Sequence, residues 1–184
     1  DANEHAMLCG PSAWDFATEI GIAPDRGLVT ERARARLAAK LVETSGGTVG
    51  AVARDRSGRF AAATSTGGMV GKRRGRIGDS PIIGAGTWAD ERCALSATGD
   101  GEAILRMALT RSIAAREGGL KEAITAELAA LGRLTGGSAG VIGIDAHGVV
   151  GIQLSPTMPI AWVAETTGDS LGEVVAMSES IRLS

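Results

Sequence analysis

Short apolar runs separated by polar, glycine-bearing turns fill the middle of the chain. Val49-Gly50-Ala51-Val52-Ala53 is followed by the polar turn Arg54-Asp55-Arg56-Ser57-Gly58 and then by Phe60-Ala61-Ala62-Ala63. That pattern predicts a β-hairpin whose return strand ends at Thr64-Ser65-Thr66. Cys93–Ala97 reads as a strand, Ala139–Asp145 and Val149–Leu154 as a second hairpin turned at Asp145-Ala146-His147-Gly148, and Ile160–Val163 as a last strand. Helical spacing occupies other stretches. Pro11–Glu19 predicts a short helix with Pro11 in its first turn, and Thr30 is an N-cap for a second over Glu31–Leu41. Glu102–Glu117 carries Ile104, Leu105, Ala108, Leu109 and Ile113 on one side, and Leu120–Leu131 predicts a further helix ended by Gly132. Glu43–Gly47 is a small polar linker of the kind where chains are cut, and a charged, glycine-bearing loop runs over 67–91. Strand pairs flanked by helix pairs predict layered α/β (α+β) packing rather than alternating βαβ units.

Composition narrows the function classes. At 184 residues, one domain is the default. The 19 basic and 21 acidic residues give a net charge of −2, so no nucleic-acid or membrane-surface partner is indicated. The cluster Lys72-Arg73-Arg74 with Arg76 is too short for a phosphate patch. Aromatic residues make up 3% and tyrosine is absent, which leaves no platform for stacking bases. Cys9 and Cys93 cannot form a disulfide scaffold, and neither they nor the isolated His5 and His147 match a metal-ligand spacing. No apolar run is long enough to span a bilayer. Gly99-Asp100-Gly101 leads into a helix but lacks the lysine-bearing signature of a phosphate loop; as a helix start it suits a carboxylate or an oxyanion.

The candidate chemistry centres on Thr48, in Gly46-Gly47-Thr48-Val49-Gly50. If the Gly47–Thr48 bond were cut, Thr48 would carry a hydroxyl and a free α-amine, and an N-terminal amine can act as base for its own hydroxyl. Gly-Gly-Thr before a strand is also a plain turn entering a sheet. The hairpin returns Thr66 to the neighbourhood of Thr48. Arg76 and Asp79 follow in Arg76-Ile77-Gly78-Asp79-Ser80-Pro81, and Thr98 and Gly99 in Ser96-Ala97-Thr98-Gly99-Asp100-Gly101-Glu102. Each has a bland reading beside the chemical one. Thr66 caps the Gly67-Gly68 turn, Arg76 and Asp79 form a surface ion pair of little energetic consequence, and Thr98-Gly99 serve as a strand-to-helix turn and its N-cap.

Taken together, the strings TVGAVA, AAATSTGGM, GRIGDSPIIGAG and SATGDGE, in this order and spacing, resemble the β-subunit of the plant-type (type 2) L-asparaginases, or isoaspartyl aminopeptidases, which are N-terminal-nucleophile hydrolases. The resemblance covers Thr48 to about Ala164. Residues 1–47 are similar to the tail of that family's α-subunit, and 165–184 match weakly. The resemblance implies a four-layer αββα sandwich with two sheets face to face, and a chain in which residues 1–47 and 48–184 are parts of one domain. It implies that the chain cleaves itself between Gly47 and Thr48, with Gly47 tolerating the strained geometry of attack. Thr48 is then the nucleophile and Thr66 its orienting partner. Arg76 clamps a substrate carboxylate, Asp79 accepts from its ammonium, and Thr98 and Gly99 form the oxyanion hole. The implied activity is hydrolysis of L-asparagine or of β-aspartyl dipeptides, without a catalytic cofactor.

The family's α-subunit normally begins with further strands that carry an active-site asparagine and a sodium-binding loop. That portion is expected to lie outside this sequence. The resemblance also implies a cytoplasmic αβ heterodimer paired as (αβ)2. Two other readings stay open. Glycosylasparaginases of the same superfamily also use an N-terminal threonine, but tend to show asparagine where this chain has Gly67. A catalytically silent relative with a structural or binding role would show neither cleavage nor ammonia release.

Overall fold

The computed structural model describes residues 9–22, 30–38, 47–72, 75–153, 158, 160–162, 175–177 and 181–182. His5, Arg73, Arg74, Leu154, Val163, the helix end 39–41 and the linker residues 43–46 lie outside them. The chain forms two compact units, Asp1–Ser45 with Met69–Arg76, and Gly46–Gly68 with Ile77–Ser184.

The first unit contains α1 (Pro11–Glu19) and α2 (Glu31–Ala38). Pro11 opens α1, where its missing N–H is not needed and its fixed φ suits a helix. The α2 helix starts as predicted, with the Arg34 N–H donating to the Thr30 carbonyl at 3.0 Å.

In the second unit, β1 (Thr48–Arg54) and β2 (Phe60–Thr66) make the predicted antiparallel hairpin. A five-stranded sheet follows, in the order β3 (Thr87–Ala89), β4 (Cys93–Gly99), β5 (Ala139–Asp145), β6 (Val149–Gln153) and β9 (Ile181–Arg182). All its pairings are antiparallel except β6 with β9. A separate pair joins β7 (Ile160–Trp162) to β8 (Val175–Met177). Alternation along β4 and β5 gives the sheet two working faces. Cys93, Leu95, Ala97, Ala139 and Val141 point into a core shared with α3 (Gly101–Met107), α4 (Leu109–Ala115) and α5 (Leu120–Thr135). Leu95, Ile104, Leu109, Ile124, Leu128 and Leu131 are fully buried there, each contributing on the order of 2 kcal/mol. Gly143 lets α5 close on the sheet: a Cβ there would lie 2.9 Å from Leu95 and 3.0 Å from Leu120. The opposite face, bearing Ser96 and Ile142, meets the β1–β2 hairpin, since a Cβ on Gly50 would touch both. Helices, sheet and hairpin thus stack as three layers of the α/β sandwich that the resemblance implies.

Several predicted elements change, and the strand predicted over Cys93–Ala97 runs on to Gly99. The helix expected over Glu102–Glu117 is two helices, broken at Ala108, whose φ is 44°. The first N–H groups of α4 explain the break: Thr110 and Arg111 donate to the carbonyls of Ala85 and Gly84 at 3.2 and 2.9 Å, instead of back along α3. The α5 helix runs through Gly132 and ends at Gly136, whose φ of 69° is the left-handed cap. The 67–91 loop contains β3, held at Trp88 opposite Leu95.

Ala108 is exposed and sits in a backbone region that disfavours any Cβ. Ala108→Gly relieves that cost with little loss of burial, so the unfolding free energy should rise by about 1 kcal/mol in a urea titration.

Candidate active site

The hairpin turn fixes which residues face each other at its open end. Asp55 Oδ1 accepts from the Ser57 N–H at 2.9 Å, the Ser57 hydroxyl at 2.7 Å and the Arg59 N–H at 2.9 Å. The Ser57 hydroxyl and then the Arg59 bonds hold the Asp55 carboxyl well below the usual carboxylate range. Gly58 takes the φ of 83° that closes the turn. Pairing from Arg54 opposite Phe60 then runs without a bulge to Thr48 opposite Thr66.

That register brings three groups into one hydroxyl cluster. The Thr66 hydroxyl donates to the carbonyl oxygen of Gly47 at 3.1 Å. Thr66 Oγ1 accepts from the Gly68 N–H at 2.9 Å and, more loosely, from the Thr48 hydroxyl at 3.4 Å. A hydroxyl has one proton and two acceptor lone pairs, so Thr66 is fully engaged. Its cap on the Gly67-Gly68 turn and its contact with Thr48 coexist. The Thr66 proton polarises the carbonyl of the Gly47–Thr48 bond, beside which the Thr48 hydroxyl stands. Gly47 is not in the left-handed region, and a Cβ built on it meets nothing within 4 Å. A side chain at Gly47 would thus meet no neighbour, and the carbonyl held by Thr66 is the feature the structure adds at this bond.

The neighbouring sheet supplies the other side of the site. A pocket of about 70 Å³ is lined by Thr48, Gly50, Ser96, Ala97, Thr98, Ile142 and Met158. Near the end of β4, Thr98 lines this pocket together with Thr48, and Gly99 closes the strand with φ 135°. A Cβ at Gly99 would sit 2.4 Å from the Ser138 carbonyl oxygen, so only glycine fits this exit. Asp100, rather than Thr98 or Gly99, caps α3, accepting from the N–H groups of Glu102 and Ala103 at 3.2 Å each. Thr98 and Gly99 are thereby left out of the cap.

Asp79 is buried, and its loop is bound to the same strands through Gly86. The Gly86 N–H donates to the Asp79 carbonyl at 3.1 Å, and the Gly86 carbonyl accepts from the Ala97 N–H at 2.8 Å and the Thr64 hydroxyl at 3.2 Å. A Cβ on Gly86 would lie 2.6 Å from the Asp79 carbonyl oxygen, which makes this close approach depend on glycine. Arg76 is half-buried and ends the second segment of the first unit, Met69–Arg76.

Sequence reasoning missed Thr64, Ser96, Gly50 and Gly86. Period-two alternation was the available signal, since it places Thr64 on the face of Thr66, and Ser96 on that of Thr98. Other candidate groups fall elsewhere. His147 lies in the β5–β6 turn, where Asp145 Oδ1 accepts from the N–H groups of His147 and Gly148 at 2.7 and 3.0 Å. Cys93 lines a second pocket on the helix side, and burial, then the Asp90 carboxylate, pushes its thiol up to about 11, so it is a poor nucleophile at neutral pH. Among the described residues, no three His, Cys, Asp or Glu side chains gather to hold a metal ion, and no helix is long and apolar enough to cross a membrane.

Comparison with known proteins places this arrangement. The sequence model of the asparaginase family matches residues 1–175. The isoaspartyl peptidase of Salmonella typhimurium is 40% identical over 185 residues, covering 88% of this chain and 59% of that protein. The isoaspartyl peptidase/L-asparaginase of Bos taurus is 39% identical over 184 residues, with 91% and 59% covered. That of Danio rerio is 35% identical over 183 residues, again with 91% and 59% covered. The chain thus spans 59% of the length of these relatives. A match over nearly the whole chain, together with a threonine cluster at a Gly-Thr bond where a strand begins, shows that this chain belongs to the asparaginase family, the type 2 branch of the N-terminal-nucleophile hydrolases.

Proposed function

We propose that the chain is the processing and catalytic portion of an amidohydrolase that releases aspartate from L-asparagine or from β-aspartyl dipeptides. The observation that carries this is the Thr66 hydroxyl on the Gly47 carbonyl, 3.1 Å away, with the Thr48 hydroxyl next to it. The names of the relatives, isoaspartyl peptidase and isoaspartyl peptidase/L-asparaginase, support the substrate class.

Activation comes first. Thr48 Oγ1 attacks the Gly47 carbonyl carbon, which Thr66 polarises. The C–N bond breaks, the Thr48 nitrogen takes the hydroxyl proton and becomes an amine, and Gly47 is left as an ester on Thr48. Water hydrolyses the ester, freeing the Gly47 carboxylate and the Thr48 amine. An uncut chain is inactive, because an amide nitrogen is not a base. Catalysis repeats the chemistry on a substrate. The α-amine of Thr48 takes the hydroxyl proton, directly or through water. Thr48 Oγ1 attacks the side-chain carbonyl of the substrate, and ammonia or an amino acid leaves with a proton. The acyl-enzyme ester is then hydrolysed to aspartate.

Thr98 and the Gly99 N–H stabilise the oxyanion formed in each round, a contribution on the order of 100-fold in rate for one well-placed donor. The position of Thr98 beside Thr48 and its release from capping α3 support this role. Arg76 pairs with the substrate carboxylate, for which its forked donors suit better than a lysine. Asp79 accepts from the ammonium, and its burial strengthens that attraction. Cleavage makes an α- and a β-subunit that stay together and pair as (αβ)2. The enzyme works in the cytoplasm, a setting that suits two free cysteines.

Thr48→Ala should abolish both self-cleavage on a denaturing gel and ammonia release. Retained hydrolysis of asparagine by that variant contradicts the mechanism, while an intact, silent wild type favours a binding role instead. Arg76→Ala should raise KM about 10- to 100-fold and change kcat far less, as expected for loss of a charge-assisted contact made equally in ground and transition states. A fall confined to kcat would remove Arg76 from substrate binding.

A further inference from the structure

The hairpin that carries Thr48 and Thr66 and the strand that carries Thr98 and Gly99 belong to different sheets, with no ladder between them. Their relative position therefore has to be set by side chains. Among the described residues, a short hydroxyl–hydroxyl contact joins β2 directly to β4 across this gap. Ser96 Oγ lies 2.7 Å from Thr64 Oγ1. Ser96 is 3% exposed, so the contact is sealed from water on the β4 side.

Hydrogen counting gives the contact a direction. Thr64 has one hydroxyl proton, and it goes to the Gly86 carbonyl at 3.2 Å. Ser96 is then the donor to Thr64. The order Ser96 O–H, Thr64 O–H, Gly86 C=O is a chain of hydroxyls, each polarising the next. It ends on the residue whose N–H holds the Asp79 carbonyl and whose carbonyl also binds Ala97 of β4. β2, β4 and the Asp79 loop thus converge on it.

The same serine sets how near β1 can come. Gly50 is two residues after Thr48 and on the same face. A Cβ on Gly50 would lie 2.3 Å from Ser96 Oγ and 2.9 Å from Ser96 Cβ. The strand of the nucleophile rests against the serine with only a hydrogen between, and the pocket that opens there is lined by Thr48, Gly50, Ser96 and Thr98.

We propose that Ser96 and Thr64 are positioning residues: their hydrogen bond, with Gly50 closed down upon it, fixes the separation between the Thr48 hydroxyl and the Thr98–Gly99 oxyanion site. Neither touches the reacting atoms. The proposal rests on the catalytic reading above, and it concerns reaction geometry rather than substrate affinity. It explains why a hydroxyl residue, Ser96, occupies a buried position opposite the half-buried Thr64, where alanine would fill the space without a polar group to satisfy.

The test uses Ser96→Ala and Thr64→Val, which delete one hydroxyl each at nearly constant shape, and Thr64→Ser, which keeps it. In cleaved, folded protein each deletion should lower kcat about tenfold and leave KM within about twofold, because misalignment acts on the reacting geometry. Thr64→Ser should recover most of kcat. The double variant Thr64→Val/Ser96→Ala should lose little more than either single change, the signature of one shared contact. A purely structural role predicts a lower Tm with unchanged kcat in the folded fraction, and that result overturns the proposal, as does additive loss.

A second measurement does not depend on turnover. On a Thr48→Ala background, hydrogen exchange of the β1 amides should quicken about tenfold on adding Ser96→Ala, while α5 amides hold their rates. Unchanged β1 exchange overturns the tie between the sheets. Inactivity of the wild type toward both substrate classes would instead overturn the catalytic reading, and β1 exchange then still decides whether the tie exists.

Discussion

The register of one β-hairpin decides whether this molecule has a site. With Arg54 opposite Phe60, seven residues of uninterrupted pairing put Thr48 opposite Thr66. Because side chains alternate along a strand, a slip by one residue would turn Thr66 to the other face and leave Ser65 in its place. The Gly47 carbonyl would then lose its hydroxyl donor. The register is set far from the chemistry, by Asp55 gathering donors from Ser57 and Arg59 in a turn that Gly58 closes. A turn with no part in the reaction therefore determines where its central hydroxyls stand.

A second layer of control comes from how closely elements approach. Glycine occupies the positions where a Cβ would collide: Gly50 against Ser96, Gly86 against the Asp79 carbonyl, Gly99 against the Ser138 carbonyl, and Gly143 between Leu95 and α5. These contacts link the two sheets, the Asp79 loop, the exit of β4 and the helix layer. The apolar core between β4, β5 and the helices provides the rigid wall, and Ser96 stands on the side of that wall facing Thr48. Interiors packed this tightly transmit small displacements, so a missing hydroxyl at this point is felt at the nucleophile.

Much of this was legible in the sequence. The hairpin, the second hairpin at Asp145–Gly148, the α1 span and the threonine cluster all follow from local alternation and turn chemistry. What escaped has a common cause: it depends on partners distant in sequence. The helix predicted across Ala108 breaks because α4 finds acceptors at Gly84 and Ala85. Gly132 does not stop α5, because the buried Leu131 and the cap at Gly136 carry the helix on. β3 is too short to be seen by pattern, and exists through pairing with β4. Thr64 and Ser96 read as neutral polar positions until the sheets are brought face to face. The hydrogen bond from Thr66 to the Gly47 carbonyl likewise joins residues 19 apart and has no local signature.

The account turns on Thr48 becoming a chain terminus by its own action. The most direct measurement is intact-mass analysis of the purified protein over a time course, with N-terminal sequencing of the products and ammonia release followed in parallel. The account predicts that one mass gives way to two, that the new terminus reads Thr-Val-Gly-Ala-Val, and that hydrolysis of asparagine or a β-aspartyl dipeptide grows in step with it. A chain that stays whole while it turns over substrate at full rate would contradict it.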